Sequence, residues 1–179
     1  DEVMTGFRVA PGGAQQLYGV QPELTTLGKV IGAGCPVGAL GGRKELMNQL
    51  APAGPVYQAG TLSGNPLAVA AGLSALNQLK PQTYQKLEAS AARLEAGIRK
   101  NLEKLSLPWH YKRVGSMGCL FFTDRPIRNF DDVMTCDTKT FARYFHAMLR
   151  QCIYLPPSQF EANFISVAHS DDDIDNTIC

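Results

Sequence analysis

The sequence has no long hydrophobic run and no signal for export. Within its 179 residues, no apolar stretch approaches the roughly 18 residues that a membrane-spanning helix requires. The N-terminus also lacks a basic segment followed by an apolar one, which a secretory signal would show. We therefore expect no membrane partner and a cytoplasmic protein, or one of the plastid stroma if a transit peptide has been lost.

A basic stretch with interleaved aromatic residues is missing as well. The formal net charge is +1, and no stretch combines clustered Lys and Arg with interleaved aromatic residues. Such a combination is typical of a nucleic-acid surface, so we expect no nucleic-acid partner. With 45% hydrophobic and 18% charged residues, the chain has the composition of a globular protein that buries a core in one or two domains.

The cysteines lack the spacing of a disulfide framework or of a zinc site. The chain has five cysteines without a C-x-x-C pair: Cys35, Cys119, Cys136, Cys152 and Cys179. An odd number of scattered cysteines is typical of reduced, mostly buried thiols. The histidines His110, His146 and His169 also lack the spacing of metal ligands. We therefore predict no metal site.

One lysine stands in a segment that otherwise lacks charge. Lys29 is the only charged residue between Glu23 and Arg43, and it lies in the segment 27–32 (LGKVIG). Apolar surroundings desolvate an ammonium group and favour the neutral amine, a nucleophile that can form a Schiff base with a carbonyl. From the residues alone, an ordinary lysine at the exposed end of a strand explains the pattern equally well.

The composition changes near residue 80. Residues 1–79 are rich in glycine and have four acidic and four basic groups, whereas residues 80–113 have eight basic groups and three acidic ones. Short apolar stretches at residues 25–31 and 37–41 fit buried strands of a parallel sheet, which indicates an α/β fold. Both ends of the chain are expected to be cut, because Asp1 would follow a strand and the last residues begin a helix.

Capping residues and periodicity predict the main helices. Asn65 can cap a helix whose first turn contains Pro66, and apolar residues at spacings of three and four from Tyr84 to Leu105 predict one long amphipathic helix. Ser170 can cap a final helix. Helices are predicted over residues 43–50, 66–79, 80–105, 137–151 and from 171. Further strands are predicted over residues 109–114, 117–122, 153–155 and 163–167.

Three segments together form the pattern of a known family. The run Asp1-Glu2-Val3 is followed 28 residues later by Lys29, and then by residues 60–66 (GTLSGNP). This pattern resembles the class III aminotransferases, which are fold-type I enzymes dependent on pyridoxal phosphate. Within that family, the chain most resembles the aminomutases that act on glutamate-1-semialdehyde. The segments that carry this closer resemblance are residues 1–8 (DEVMTGFR), 27–32 (LGKVIG), 56–66 (VYQAGTLSGNP), 157–162 (PSQFEA) and 166–170 (SVAHS).

The resemblance implies roles for four residues. Asp1 matches the carboxylate that faces the ring nitrogen of the cofactor, where it keeps that nitrogen protonated and so stabilises a carbanion. Lys29 matches the lysine that binds the cofactor and carries protons. Thr61, just before a predicted helix whose first amides favour an anion, matches a threonine that reaches the cofactor phosphate of the neighbouring subunit. Glu161 is expected near the substrate carboxylate.

Each of these residues also has an ordinary explanation. Asp1 could be an acidic residue at a strand end, Thr61 a turn residue beside a helix cap, and Glu161 a surface glutamate. The resemblance further implies a large pyridoxal-phosphate-binding domain of which residues 1–79 are the later part. Residues 80–179 are then the long helix and a truncated, small α+β C-terminal domain.

The activity implied by the resemblance is intramolecular amino transfer. Glutamate-1-semialdehyde would become 5-aminolevulinate for tetrapyrrole (porphyrin) biosynthesis, in a homodimer with shared active sites. Two alternatives stay open: an ω-aminotransferase of the ornithine or 4-aminobutyrate type, and a catalytically silent fragment that serves only dimerisation. In the family, the phosphate-binding turn, the ring-stacking aromatic and the substrate arginine precede the matching region. We therefore expect these 179 residues alone to have little or no activity.

Overall fold

A computed structural model describes residues 1–178 of the chain. It contains two compact units, of which the first is Asp1–Tyr84 and the second begins at Gln85. The helices are α1 Gly13–Tyr18, α2 Lys44–Met47, α3 Pro66–Leu76, α4 Pro81–Lys104, α5 Phe130–Val133, α6 Thr138–Arg150 and α7 Asp171–Ile178. The strands are β1 Leu24–Leu27, β2 Ala39–Gly42, β3 His110–Val114, β4 Met117–Phe121 and β5 Asn163–Phe164. No helix within residues 1–178 has the length and apolar character to cross a membrane.

The first unit contains a two-stranded sheet whose strand β1 ends two residues before Lys29. β1 and β2 pair in antiparallel register, with Leu27 opposite Ala39. The predicted parallel pairing of two buried strands is therefore wrong for this pair, and all four residues of β2 are exposed. The strand predicted over residues 25–31 ends at Leu27, because a 3-10 turn occupies Lys29–Gly32. The chain turns back after β1, so β2 runs in the opposite direction. The apolar pattern of the sequence does not specify this direction.

The start of α3 confirms its predicted cap. The side chain of Asn65 accepts hydrogen bonds from the backbone N–H of Leu67 (2.9 Å) and Ala68 (3.3 Å). Pro66 occupies the first turn, where its missing N–H costs nothing. The helix ends at Leu76, before the predicted residue 79, because the chain tightens there into bonds between residues three apart.

α4 is the single long amphipathic helix that the periodicity predicts, and it organises the second unit. It has 24 residues, and one of its faces buries Leu87, Ala91 and Leu94. The latter two pack with Ile165 and Ile174 in one hydrophobic cluster. Burying one apolar face while the charged face stays in water is the usual basis for a surface helix.

An antiparallel sheet with the order β3-β4-β5 forms the rest of the second unit. Its core contains Tyr111, Leu120 and Phe122, and the ring centroids of Phe122 and Trp109 are 4.6 Å apart. The strand predicted over residues 153–155 is not formed, because two prolines follow it and cannot donate ladder hydrogen bonds. The strand predicted over residues 163–167 is reduced to two residues.

The helices α6 and α7 both begin at a capping residue, and the predicted cap Ser170 is confirmed. Asp137 accepts hydrogen bonds from the first amides of α6. Ser170 accepts a hydrogen bond from the backbone N–H of Asp173, whose carboxylate accepts one from the Ser170 N–H. These reciprocal bonds form a capping box at the start of α7.

The cysteines are less buried than predicted. Cys35, Cys119, Cys136 and Cys152 are free, and only Cys136 is buried, whereas Cys179 lies outside the described residues. Burial raises the pKa of the Cys119 thiol to about 12. Within residues 1–178, no group of three or more His, Cys, Asp and Glu side chains is arranged to hold a metal ion.

Candidate functional site

Glu2 fixes the segment that carries Asp1. Its side chain is only 5% exposed, and its carboxylate accepts hydrogen bonds from the Thr5 hydroxyl and from the backbone N–H of Ala14 (3.0 Å) and Gln15 (2.6 Å). Because these two amides belong to the first turn of α1, the carboxylate caps that helix from a distant part of the chain. The sequence assigned no role to Glu2.

The environment of Glu2 keeps it ionised. Burial raises the pKa of its carboxyl, but hydrogen bonds from Thr5, Gln15 and Ala14 together lower that pKa below its usual value. Gly13 makes room for the carboxylate. Its φ is 70°, and a Cβ at this position would lie 2.4 Å from Glu2 Oε2. The Gly12-Gly13 pair was the sequence signal that could have indicated such a close approach.

Two donors orient one oxygen of the Asp1 carboxylate. Asp1 Oδ1 accepts hydrogen bonds from the Val3 N–H (2.8 Å) and from the Thr26 hydroxyl (3.4 Å). The Glu2 N–H donates to the Thr26 carbonyl at 2.9 Å, so β1 holds both the main chain and the carboxylate of this segment. Within residues 1–178, Asp1 Oδ2 accepts no hydrogen bond and remains available to a ligand.

Lys29 is exposed, and the prediction of apolar surroundings is wrong for this chain. Its φ of 44° lies in the left-handed region, which residues with a Cβ rarely occupy. In the 3-10 turn Lys29–Gly32, Gly32 is buried, whereas Lys29 at its start is exposed. Strained backbone of this kind is found preferentially at functional sites.

Close backbone contacts hold the Lys29 turn. A Cβ on Gly72 of α3 would lie 2.0 Å from the carbonyl oxygen of Ile31, so only glycine permits this approach. A Cβ on Gly28 would lie 3.2 Å from Cγ1 of Val3. Val3 therefore connects the Asp1 segment to the residue just before Lys29. The Asp1 segment thus lies beside β1 and close to Gly28, the residue between the end of this strand and Lys29.

Thr61 begins an exposed turn, residues 61–64, that precedes α3. The prediction that an anion would meet the first amides of this helix needs correction, because Asn65 already accepts hydrogen bonds from them. Within residues 1–178, the amides of Thr61 and Gly64 donate to no partner. Backbone donors without a described partner therefore lie in the turn itself, and no hydrogen bond in the described residues joins Thr61 to Asp1 or Lys29.

Glu161 lies in the second unit, on the exposed loop before β5. Its backbone N–H donates to the Ser158 carbonyl at 3.2 Å, and its carboxylate has no ion-pair or hydrogen-bond partner within residues 1–178. The neighbouring Gln159 is instead 2% exposed and donates to the Leu120 carbonyl at 2.9 Å. The geometry of Glu161 fits a surface residue and equally a group that awaits a partner.

The segments around β1 thus carry an exposed primary amine and a carboxylate of which one oxygen has no hydrogen-bond partner within residues 1–178. A carboxylate can accept a charged N–H, and an amine can bind a carbonyl and exchange protons. These are the two functions that hold and activate an aldehyde cofactor with a protonated ring.

Comparison with known proteins identifies the family. The model of the aminotransferase class-III family matches residues 1–159. The chain therefore belongs to the class-III aminotransferases.

Among curated proteins, the chain is 59% identical over 99% of its length to glutamate-1-semialdehyde 2,1-aminomutase 2 of Brevibacillus brevis. It is also 59% identical to glutamate-1-semialdehyde 2,1-aminomutase of Chlorobium phaeovibrioides. In both comparisons it covers 42% of the relative, so the chain spans about two fifths of the length of these relatives.

Solved structures confirm the fold class. An ω-transaminase from Sphaerobacter thermophilus matches 99% of the chain with a TM-score of 0.92 and 28% identity, and 41% of that protein is covered. A glutamate-1-semialdehyde aminomutase from Pseudomonas aeruginosa in complex with PMP matches 99% of the chain, with a TM-score of 0.87, 25% identity and 42% of that protein covered. The chain therefore has the α/β fold of the fold-type I transferases.

Proposed function

We propose that this chain is part of a pyridoxal-phosphate-dependent aminomutase that converts glutamate-1-semialdehyde to 5-aminolevulinate in tetrapyrrole biosynthesis. The supporting observation is the 59% identity, over 99% of the chain, to relatives with that aminomutase name. Identity to the ω-transaminase from Sphaerobacter thermophilus is 28%. Identity to the solved aminomutase from Pseudomonas aeruginosa is similar, at 25%, so the solved structures do not separate the two activities. Because function depends on the site and not on the shared fold, the curated relatives at 59% identity favour the aminomutase.

Asp1, beside β1, and Lys29, in the turn after it, fit pyridoxal phosphate. When bound, this cofactor supplies an electron sink for amino transfer. Asp1 would accept the ring N–H through Oδ2, the oxygen that no described residue occupies, and its charge would keep that proton in place. Lys29 would bind the cofactor aldehyde through its exposed amine. Once released, the same amine would accept and return the substrate proton.

The remaining assignments belong to the same proposal. Thr61 and the free amides of its turn would bind the cofactor phosphate of the neighbouring subunit in a homodimer. Glu161 would lie near the substrate carboxylate, where its unpartnered side chain meets a basic residue from the rest of the protein. Residues 1–79 would belong to the large domain and residues 80–179 to the C-terminal domain.

Replacement of Lys29 tests the assignment of the cofactor-binding amine. In the full-length protein, we expect Lys29→Ala to abolish the absorption band near the edge of the visible range that marks covalent binding of pyridoxal phosphate. Lys44→Ala removes another exposed lysine of the first unit and should leave the band unchanged. Persistence of the band in Lys29→Ala would show that another amine binds the cofactor.

An ω-aminotransferase is the second candidate, and the TM-score of 0.92 to such an enzyme favours it. Incubation of the full-length protein with glutamate-1-semialdehyde, without an amino acceptor, separates the two functions. The aminomutase forms 5-aminolevulinate under these conditions. Amino transfer from an ω-amine to 2-oxoglutarate, with no 5-aminolevulinate formed, would establish the second candidate.

A further inference from the structure

Thr26 contacts the Asp1 segment through both its main chain and its side chain. Its carbonyl accepts the Glu2 N–H at 2.9 Å, and its hydroxyl donates to Asp1 Oδ1 at 3.4 Å. The Val3 N–H donates to the same oxygen at 2.8 Å. All polar contacts of the Asp1 carboxylate within residues 1–178 thus converge on Oδ1.

Because both donors bind Asp1 Oδ1, they also fix the direction in which Asp1 Oδ2 points. Rotation of a carboxylate about its terminal torsion is nearly free, because that torsion is broad. A single donor such as the Val3 N–H anchors Oδ1 but permits rotation about the hydrogen bond. A second donor from a different direction, the Thr26 hydroxyl, removes that freedom and keeps Oδ2 directed away from both.

The strand separates Thr26 from the threonine beside it. Successive residues of a strand face opposite sides, and the hydroxyl of Thr25 donates to the side chain of Gln15 at 3.3 Å. The two threonines therefore make hydrogen bonds of similar length on opposite faces of β1. Of these two threonines, only Thr26 donates a hydrogen bond to Asp1 within residues 1–178. Thr25 therefore serves as a matched control.

We propose that Thr26 is a positioning residue that orients Asp1 Oδ2 toward the ring N–H of the cofactor. This inference rests on the proposed function, because it requires a ring nitrogen opposite Asp1. Thr26 does not itself contact the cofactor. Without its hydroxyl, Asp1 samples other orientations and its hydrogen bond to the ring N–H weakens, so the ring nitrogen loses its proton more readily and the cofactor is held less tightly.

The test uses full-length protein with pyridoxal phosphate labelled with ¹⁵N at the ring. The ¹⁵N chemical shift reports ring protonation directly and needs no turnover. Thr26→Val replaces the hydroxyl with a methyl group. In this variant, we expect the ring nitrogen to lose its proton at a lower pH than in the wild-type protein. Cofactor affinity should fall about three- to tenfold, as for loss of one ordinary hydrogen bond, because the 3.4 Å separation makes this bond weaker than a close one to a charged group. Thr26→Ser, which retains the hydroxyl, should restore both properties.

The controls separate this inference from the function on which it rests. Thr25→Val should leave ring protonation and affinity unchanged; an equal loss in this variant would overturn the role of Thr26, because the cause would be general damage to β1. Ring protonation in Thr26→Val identical to wild type would overturn it as well, with the proposed function intact. Failure of the wild-type protein to bind the cofactor would instead overturn both. If Thr26→Val does not fold, Thr26→Ala removes the same hydroxyl without added bulk. The same changes in ring protonation and cofactor affinity are then expected of Thr26→Ala.

Discussion

At the scale of single residues, Glu2 holds a negative charge in a nearly buried position. Burying an ionised carboxylate without partners costs several kcal/mol, but three donors replace the lost water here. The preceding residue, Asp1, is exposed, and its Oδ2 accepts no hydrogen bond within residues 1–178. The two adjacent carboxylates thus differ in environment: Glu2 anchors the segment, whereas Asp1 is the one proposed to bind the cofactor.

Replacement of Glu2 by glutamine should destabilise the folded protein. An amide presents N–H groups to the backbone amides of Ala14 and Gln15 and leaves at least one of them unsatisfied, so we expect a loss of about 2 kcal/mol in the free energy of unfolding. Denaturant titration of the full-length protein at neutral pH measures this loss. Glu45→Gln changes an exposed glutamate of the same unit and should have little effect; equal losses in both variants would contradict the anchoring role.

The same substitution has a defined pH dependence. The folded pKa of Glu2 lies below its ordinary value of 4.5, so its ionised form stabilises the fold above about pH 4.5. That contribution is lost as the pH falls through the lower, folded pKa. The difference in unfolding free energy between wild type and Glu2→Gln should therefore shrink below about pH 4.5. A difference that stays constant down to pH 3 would show that the charge of Glu2 is irrelevant.

At the scale of elements, α3 supports the Lys29 turn through its backbone. Gly72 permits contact with the Ile31 carbonyl, and the Asn65 cap fixes where the helix begins. Capping is a local signal, which is why the sequence predicts the start of α3. The contact at Gly72 joins segments far apart in the chain, and no local pattern encodes it.

Replacement of Gly72 by alanine should separate α3 from this turn. In an exposed helix, Gly→Ala stabilises by about 1 kcal/mol through helix propensity. Here the Cβ would lie 2.0 Å from the Ile31 carbonyl oxygen, so we expect destabilisation by about 1–3 kcal/mol and weaker cofactor binding through Lys29. Thermal unfolding and cofactor titration measure both effects. Ser74→Ala, at an exposed position of α3, is the control; a gain in stability for Gly72→Ala would refute the contact.

At the scale of the whole molecule, the first unit exposes much apolar surface. Leu67, Val69 and Leu73 of α3 are 73%, 52% and 61% exposed, respectively. A helix that is apolar on most sides is typical of the interior of a larger protein, and this chain covers only 42% of its curated relatives. These observations support the proposal that the remainder of the protein and a second subunit complete the site, and that these residues alone have little activity.

Hybrid dimers test whether active sites are shared. In a dimer of one Lys29→Ala subunit and one Thr61→Val subunit, the intact Lys29 receives an intact Thr61 only if that threonine comes from the partner. Differently tagged subunits allow purification of this hybrid. We expect it to have about half of wild-type activity, because one of two equivalent sites is complete, while both parent homodimers are impaired. A hybrid no more active than its parents would show that Thr61 serves its own subunit.

The sequence by itself determined the helices that local signals specify and the family to which the chain belongs. Caps at Asn65, Asp137 and Ser170 act within four residues, and the spacing of Asp1 and Lys29 is a property of the chain. Only the tertiary structure decided the antiparallel pairing of β1 and β2, the exposure of Lys29, the burial of Glu2 and the hydrogen bond from Thr26 to Asp1. The physical reason is that pairing, burial and hydrogen bonding there depend on residues distant in sequence, whose approach no local pattern specifies.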